Sequence, residues 1–408
     1  LNQVSSAAAD AGTLFREQSA SPSTDDGAKS ETRAAGERFY RPEIDGLRFF
    51  AFFAVYFRHT IGFGISGTHH HVPNWLGDLV GAASIAGDFG VDLFFVLSSY
   101  LITELLTRER AVRGALDVRA FYIRRILRIW PLYFFFIAVA VVTTAMVPTE
   151  QLSWRHVAGL LLFAGNWVFM FWPVTSVAVP LWSIAIEEQF YICWPWVVRG
   201  LSTRGVGLCA LALMIIGLVA TIALGTWYPN ADWVSRNSVT RLDGIAVGAL
   251  LAVVLHGRMP KLSGSARVAI MAGCLATLMW IAYDFGLFVR PVRMLALVTG
   301  WPLAALACGG ILYSVLGSSG WLSAPLRSRP LVYLGRISYG LYVWHELSIL
   351  IGDHLFPKYN ESSSQMLGRF VFGLALTVPL AAASYQFLEL PFLRLKRRRF
   401  TVVPSRPD

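Results

Sequence analysis

Residues 44–60 read IDGLRFFAFFAVYFRHT, an apolar run of the kind that crosses a membrane, yet it carries Arg48 and His59. Those two residues are eleven positions apart. That is close to three helical turns, so both project from one face, separated by roughly 16 Å of rise. An ionisable side chain at the bilayer centre costs about 2.5–3.5 kcal/mol on insertion scales, so each one needs a partner, a water-filled cavity or a chemical role. The run places the arginine near the cytoplasmic surface and the histidine deeper.

Outward from this segment, apolar stretches of span length recur at 90–106, 129–147, 181–198, 205–227, 239–256, 267–288, 295–317, 338–356 and 367–388, the first span itself being 46–64. The composition agrees, with 55% apolar and 15% charged residues, against roughly 25% charged in a soluble domain. The expected fold is all-α, a polytopic transmembrane bundle of about ten spans plus one re-entrant or interfacial helix. That extra helix is 157–172, which is short. If it crossed fully, Arg199, Arg204 and every later basic cluster would lie outside. Kept on one side, it leaves 108–119, Arg199, Arg204, Arg258, Lys261, Arg327, Arg329 and 396–399 in the cytoplasm, as positive-inside bias requires. Arg290 and Arg293 are the exceptions. Both termini are then cytoplasmic, in the inner membrane.

The organisation expected is a disordered arm over 1–39, a transmembrane domain over 40–394 and a basic cytoplasmic tail over 395–408. The arm is rich in small and polar residues and shows no cleavable signal peptide. The net charge of +10 sits beside apolar segments, so lipid headgroups rather than nucleic acid explain it. Cys193, Cys209, Cys274 and Cys308 lie in apolar runs without metal-like spacing and are assigned no chemistry. No internal repeat is evident, which weakens a transporter built from inverted halves.

Several spans carry polar groups. Phe52 and Tyr56 share the His59 face, Asp88 and Asp92 are four apart, and Glu187 lies four after Ser183 and four before Tyr191. Convergence of such groups would make a polar cavity in which an imidazole acts as a general base; the plainer reading of His59 is a packed histidine. In FYIRRILRIWPLY, Arg124, Arg125 and Arg128 stand at the cytoplasmic mouth of a span. Topology alone explains them, but Arg125 and Arg128 share a helix face and a guanidinium fork matches phosphate. Arg241 and Asp243 read as a neutralising pair or a cavity wall. The triplet His69, His70 and His71 cannot readily turn three neighbouring rings onto one ion, and no metal is expected.

Taken in succession, RPEIDGLRFFAFFAVYFRHT, GVDLFFVLSSYLIT, FYIRRILRIWPLY, LWSIAIEEQFYICWP, RLDGIAVGAL, LGRISYGLYVWHE and LELPF resemble the acyltransferase-3 family of membrane acyltransferases, over nearly all of 40–394. The resemblance implies transfer of an acyl group, most simply acetyl, from cytoplasmic acyl-CoA to a hydroxyl of a carbohydrate or another small-molecule or lipid-linked acceptor. It implies His59 as base with Arg48 its companion, Arg125 and Arg128, with Arg124 beside them, on the donor's phosphates, and Glu187 as orienting acid in the pattern begun by Ser183. Asp45, Asp92, Ser98, Tyr191 and His345 match recurrent positions. The sequence departs at Ser99, where the family usually has glycine, which bears on the local packing of residues 98–100 or the shape of an acyl channel, and at Arg58, an extra charge beside the histidine. With the bundle filling the sequence, direct transfer to the final acceptor or a lipid-linked precursor is expected. The alternative is a glycan or lipid transporter using the same buried groups, which would not cleave a thioester.

Overall fold

The computed structural model describes residues 40–61, 74–227, 234–284, 294–318, 320–356 and 363–400. The arm over 1–39, the histidine triplet, Arg290 and Arg293 lie outside the described residues. Fifteen α-helices are described, and among these residues there is no strand, only an isolated bridge between Gln151 and Thr175.

The helices in chain order are α1 (Pro42–Ile61), α2 (Asn74–Ala86), α3 (Phe89–Arg113), α4 (Val118–Met146), α5 (Trp154–Leu161), α6 (Gly165–Phe171), α7 (Leu181–Gly200), α8 (Thr203–Trp227), α9 (Leu242–Leu255), α10 (Gly264–Asp284), α11 (Met294–Val315), α12 (Arg329–Arg336), α13 (Ser338–Leu355), α14 (Ser363–Ser384) and α15 (Leu390–Phe400). A π turn, Tyr385–Glu389, joins the last two. Local chemistry sets several ends. Pro42 opens α1, where its missing N–H costs nothing, and Glu43 and Asp45 follow in the first turn. Gly114, at φ 71°, closes α3, a left-handed cap that a residue without Cβ adopts cheaply. Asp117 caps α4 by accepting from the Ala120 N–H at 2.9 Å.

Six helical stretches are long and apolar enough to cross a membrane: Gly77–Arg113, Val118–Met146, Thr203–Trp227, Gly264–Tyr283, Leu297–Val315 and Gln365–Leu395. α8 shows what this means in packing terms, since Leu208, Ile215 and Val219 are all exposed along it. α1, α7 and α13, also expected as spans, are diluted by the ionisable groups that build the site, and α9 has 14 residues.

Two local expectations change. α2 forms at 74–86, where no span was expected. The segment 157–172 is two short helices rather than one, broken at Phe163, whose φ is 52°. Tyr133 anchors this hairpin by donating to the Leu160 carbonyl at 2.8 Å, and Glu150 accepts from the Val177 N–H at 2.8 Å.

α1 lies against α3, α12, α13 and α14, and α9 lies along α3 and α8. The α3–α9 approach is close because Gly248 has no Cβ; one added there would collide with the Ser99 hydroxyl and the Val96 carbonyl. Ser99 is therefore a buried packing residue that donates to the Val96 carbonyl at 3.3 Å, and its side chain faces α9 rather than a channel.

Candidate active site

A polar cavity opens where α1, α3, α4, α7 and α13 meet. Its lining includes Arg48, Ser98, Arg125, Arg128, Glu187 and Tyr342, and its volume is about 70 Å³. A water needs ~10–15 Å³ on this measure, so the cavity has room for several. Arg48 reaches in from α1 and donates from Nε to Ser338 Oγ at 3.1 Å. On the opposite wall Tyr191 donates to Glu187 Oε2 at 2.9 Å and is hydrogen-bonded to Ser98. Ser183 and Tyr342 share a hydrogen bond of 2.7 Å between their hydroxyls.

The lining contains three guanidinium groups and one carboxylate. Arg125 lies over the rings of Phe121 and Tyr191, at 5.6 and 5.4 Å from their centroids. Neither Arg125 nor Arg128 has an ion pair among the described residues. An excess of guanidinium forks facing a cavity with room for water is a setting for a phosphorylated or otherwise anionic ligand.

His59 does not line this cavity. It lies farther along α1, against α13, where its Nδ1 is hydrogen-bonded to Glu346 Oε1 and lies 3.4 Å from His345 Nε2. His345 is fully buried, and its Nδ1 is 2.6 Å from the Tyr342 carbonyl. A carbonyl only accepts, so His345 Nδ1 carries a proton, and with that ring neutral its Nε2 presents a lone pair. With Glu346 ionised, His59 Nδ1 then faces a lone pair and a carboxylate, the arrangement in which Nδ1 is the donor. The lone pair of a neutral His59 is then on Nε2, and the side chain is 28% exposed.

Tyr342 separates the two halves. Its hydroxyl lies in the cavity wall while its ring centroid is 5.5 Å from that of His345. The ligating atoms of His59, His345 and Glu346 lie within 4.8 Å of one another, so this trio is also the place among the described residues where a metal ion could sit.

The remaining sequence candidates fall elsewhere. Glu187 faces the cavity and not His59; the acid beside the imidazole is Glu346, which sequence reasoning missed although it follows His345 directly in YVWHE. Arg124 is turned away from the cavity onto Glu109, at 2.8 Å. Asp92 is buried against Arg241 at 2.5 Å, and that guanidinium also stacks 3.9 Å over Trp301. Asp45 accepts from the Tyr40 hydroxyl at 3.0 Å at the start of α1. Arg58 pairs with Asp88 at 2.8 Å.

Comparison with known proteins adds three findings. The model of the acyltransferase-3 family, described as an acyltransferase domain, matches residues 41–386. The chain is 30% identical over 387 residues to the putative peptidoglycan O-acetyltransferase YrhL of Bacillus subtilis, covering 89% of this chain and 56% of that protein. It is 29% identical over 377 residues to the peptidoglycan O-acetyltransferase OatA of Listeria monocytogenes, covering 87% of this chain and 56% of that one. The chain thus spans about half the length of these relatives. No solved structure matches it.

Proposed function

We propose, proceeding from the fact that the chain belongs to the acyltransferase-3 family, that it moves an acetyl group from acetyl-CoA to a hydroxyl of a carbohydrate at the cytoplasmic membrane. The family and the O-acetyltransferase names of its relatives support the reaction class; a glycan such as the peptidoglycan in those names is the acceptor we favour. The topology that goes with this reading has about ten crossings and both termini in the cytoplasm, α1, α7, α9 and α13 crossing as parts of a bundle that shields their polar groups.

The observation that carries the mechanism is the hydrogen bond between His59 Nδ1 and Glu346. It holds the ring in the tautomer whose Nε2 is free to accept a proton. In this scheme the donor's phosphates rest on Arg125 and Arg128, and its thioester arm extends through the cavity past Tyr342 towards His59. His59 Nε2 takes the proton of the acceptor hydroxyl as that oxygen bonds to the acyl carbon. The carbon–sulfur bond breaks, the thiolate leaves, and the imidazolium returns a proton to it. Glu346 offsets the positive charge that the ring carries meanwhile. General-base help of this kind contributes about 10²- to 10⁴-fold, and alignment of the two reactants adds to it.

The test is release of free coenzyme A by purified protein. A transferase releases it in step with acylation of an added glycan, and His59→Ala stops release while leaving coenzyme A binding intact. Near-normal release from that variant would remove His59 from the role, and no thioester cleavage by the wild-type protein would leave a transporter as the better reading.

A further inference from the structure

We propose that the adenosine end of the acyl donor docks in a second cleft, formed by the first turns of α4 and the last turns of α7, so that the donor lies along the seam between these helices. The inference rests on the donor being a coenzyme A thioester and says where its nucleotide is held. The cleft has a volume of about 570 Å³ and is lined by Arg119, Tyr122, Trp196 and Arg199 among others.

The two clefts share their walls. α4 gives Arg119 and Tyr122 to the outer one and Arg125 and Arg128 to the inner one. α7, running the other way, gives Arg199 and Trp196 to the outer and Tyr191 and Glu187 to the inner. Between them the helices are tied by the Tyr122 hydroxyl, which donates to the Ile192 carbonyl at 2.6 Å, and by Arg125 over the Tyr191 ring. From Arg199 to Glu187 is twelve positions, roughly 18 Å along the helix axis. A single sugar unit could not span that distance. A nucleotide joined by a flexible arm to a thioester can.

The chemistry of the outer cleft suits a phosphorylated aromatic ring system. Trp196 is 54% exposed, yet its indole N–H donates to the Tyr122 hydroxyl at 2.8 Å. The ring is thus fixed in place with its polar atom satisfied, and the guanidinium of Arg199 lies 5.5 Å from its centroid. Arg119 and Arg199 have no ion pair among the described residues. The nearby carboxylate of Asp117 is engaged as the α4 cap. A rigid indole with Arg199 beside it and Arg119 in the same cleft offers stacking to a purine, in the way that bases stack on aromatic platforms, and forked donors to the phosphate on the adenosine's ribose, while the diphosphate stays with Arg125 and Arg128.

The experiment measures binding of coenzyme A and of 4′-phosphopantetheine, which lacks the adenosine part, to the full chain in detergent. The variants are Trp196→Ala, Trp196→Phe and the double Arg119→Gln, Arg199→Gln. Trp196→Ala and the double variant should weaken coenzyme A about tenfold or more and leave phosphopantetheine affinity unchanged. Trp196→Phe, which keeps an aromatic face, should retain most of the coenzyme A affinity. Equal coenzyme A affinity in all variants would overturn the inference and leave the transferase reading intact. Parallel loss of both ligands would overturn it too, as would loss of binding to anionic phospholipid vesicles with coenzyme A affinity preserved, which would make the cleft a headgroup anchor. Failure of the wild-type protein to bind coenzyme A at all would sink both this inference and the donor on which it rests.

Discussion

His59 and Glu346, 287 positions apart in the chain, meet through a hydrogen bond from an imidazole Nδ1 to a carboxylate oxygen. The contact gives a partly buried histidine on α1 a preferred tautomer when the carboxylate is ionised. Glu346→Gln keeps the shape and one acceptor but removes the charge that balances the imidazolium. Turnover should fall on the order of 10²-fold, the low end of what general-base help supplies, with KM for the donor unchanged. Steady-state kinetics with varied acetyl-CoA checks this. An unchanged kcat would mean that Glu346 plays no part.

The proton count at this trio makes a second prediction, about metals. If His59 Nδ1 donates a proton, it cannot ligate an ion while it works, and metal ligands bind through a lone pair. Chelator treatment should leave turnover unchanged. Added zinc should inhibit by displacing that proton, and Glu346→Ala should blunt the inhibition by removing a ligand. Loss of activity on chelation, restored by zinc, would replace the general-base scheme with a metal-centred one.

What could be read from the sequence divides along physical lines. Arg48 and His59 are legible as face mates because helical spacing is local arithmetic, and both do turn towards α13, onto Ser338 and Glu346. The partner of His59 is not legible in the same way, because it depends on where α13 crosses α1. Arg124 and Arg125 show the limit most sharply. One step along a helix rotates a side chain by about 100°, and that step separates an arginine tied to Glu109 from one facing the cavity. The sequence shows the cluster and not which member turns inward. The break at Phe163 is equally hidden, since its left-handed backbone lies inside an apolar run that reads as one continuous helix.

Asp92 and Arg241 give a prediction about stability. Both are essentially fully buried, they pair at 2.5 Å, and Arg241 stacks on Trp301. Asp243, also buried, shares the same guanidinium, so the group is a triad. Breaking a buried ion pair or triad by removing one member costs about 3–5 kcal/mol, whereas replacing the whole group with uncharged residues of similar volume is often neutral. Asp92→Leu should therefore melt below the wild type in detergent, and adding Arg241→Met together with Asp243→Asn should recover most of the loss. If the triple variant melts no higher than the single one, the triad has a role beyond charge compensation.

Gly248 supports the last prediction. A Cβ at this position would meet three atoms of α3, the Ser99 hydroxyl, the Val96 carbonyl and the Tyr100 backbone nitrogen, and only the first belongs to a side chain. Gly248→Ala should push α9 away from α3, and overpacking of this kind costs typically about 1–3 kcal/mol. Because the Val96 carbonyl is backbone and stays where it is, adding Ser99→Gly should restore only part of the stability. Thermal melting of the single and double variants decides the matter. Full recovery in the double variant would show that the Ser99 hydroxyl alone sets the spacing of the two helices.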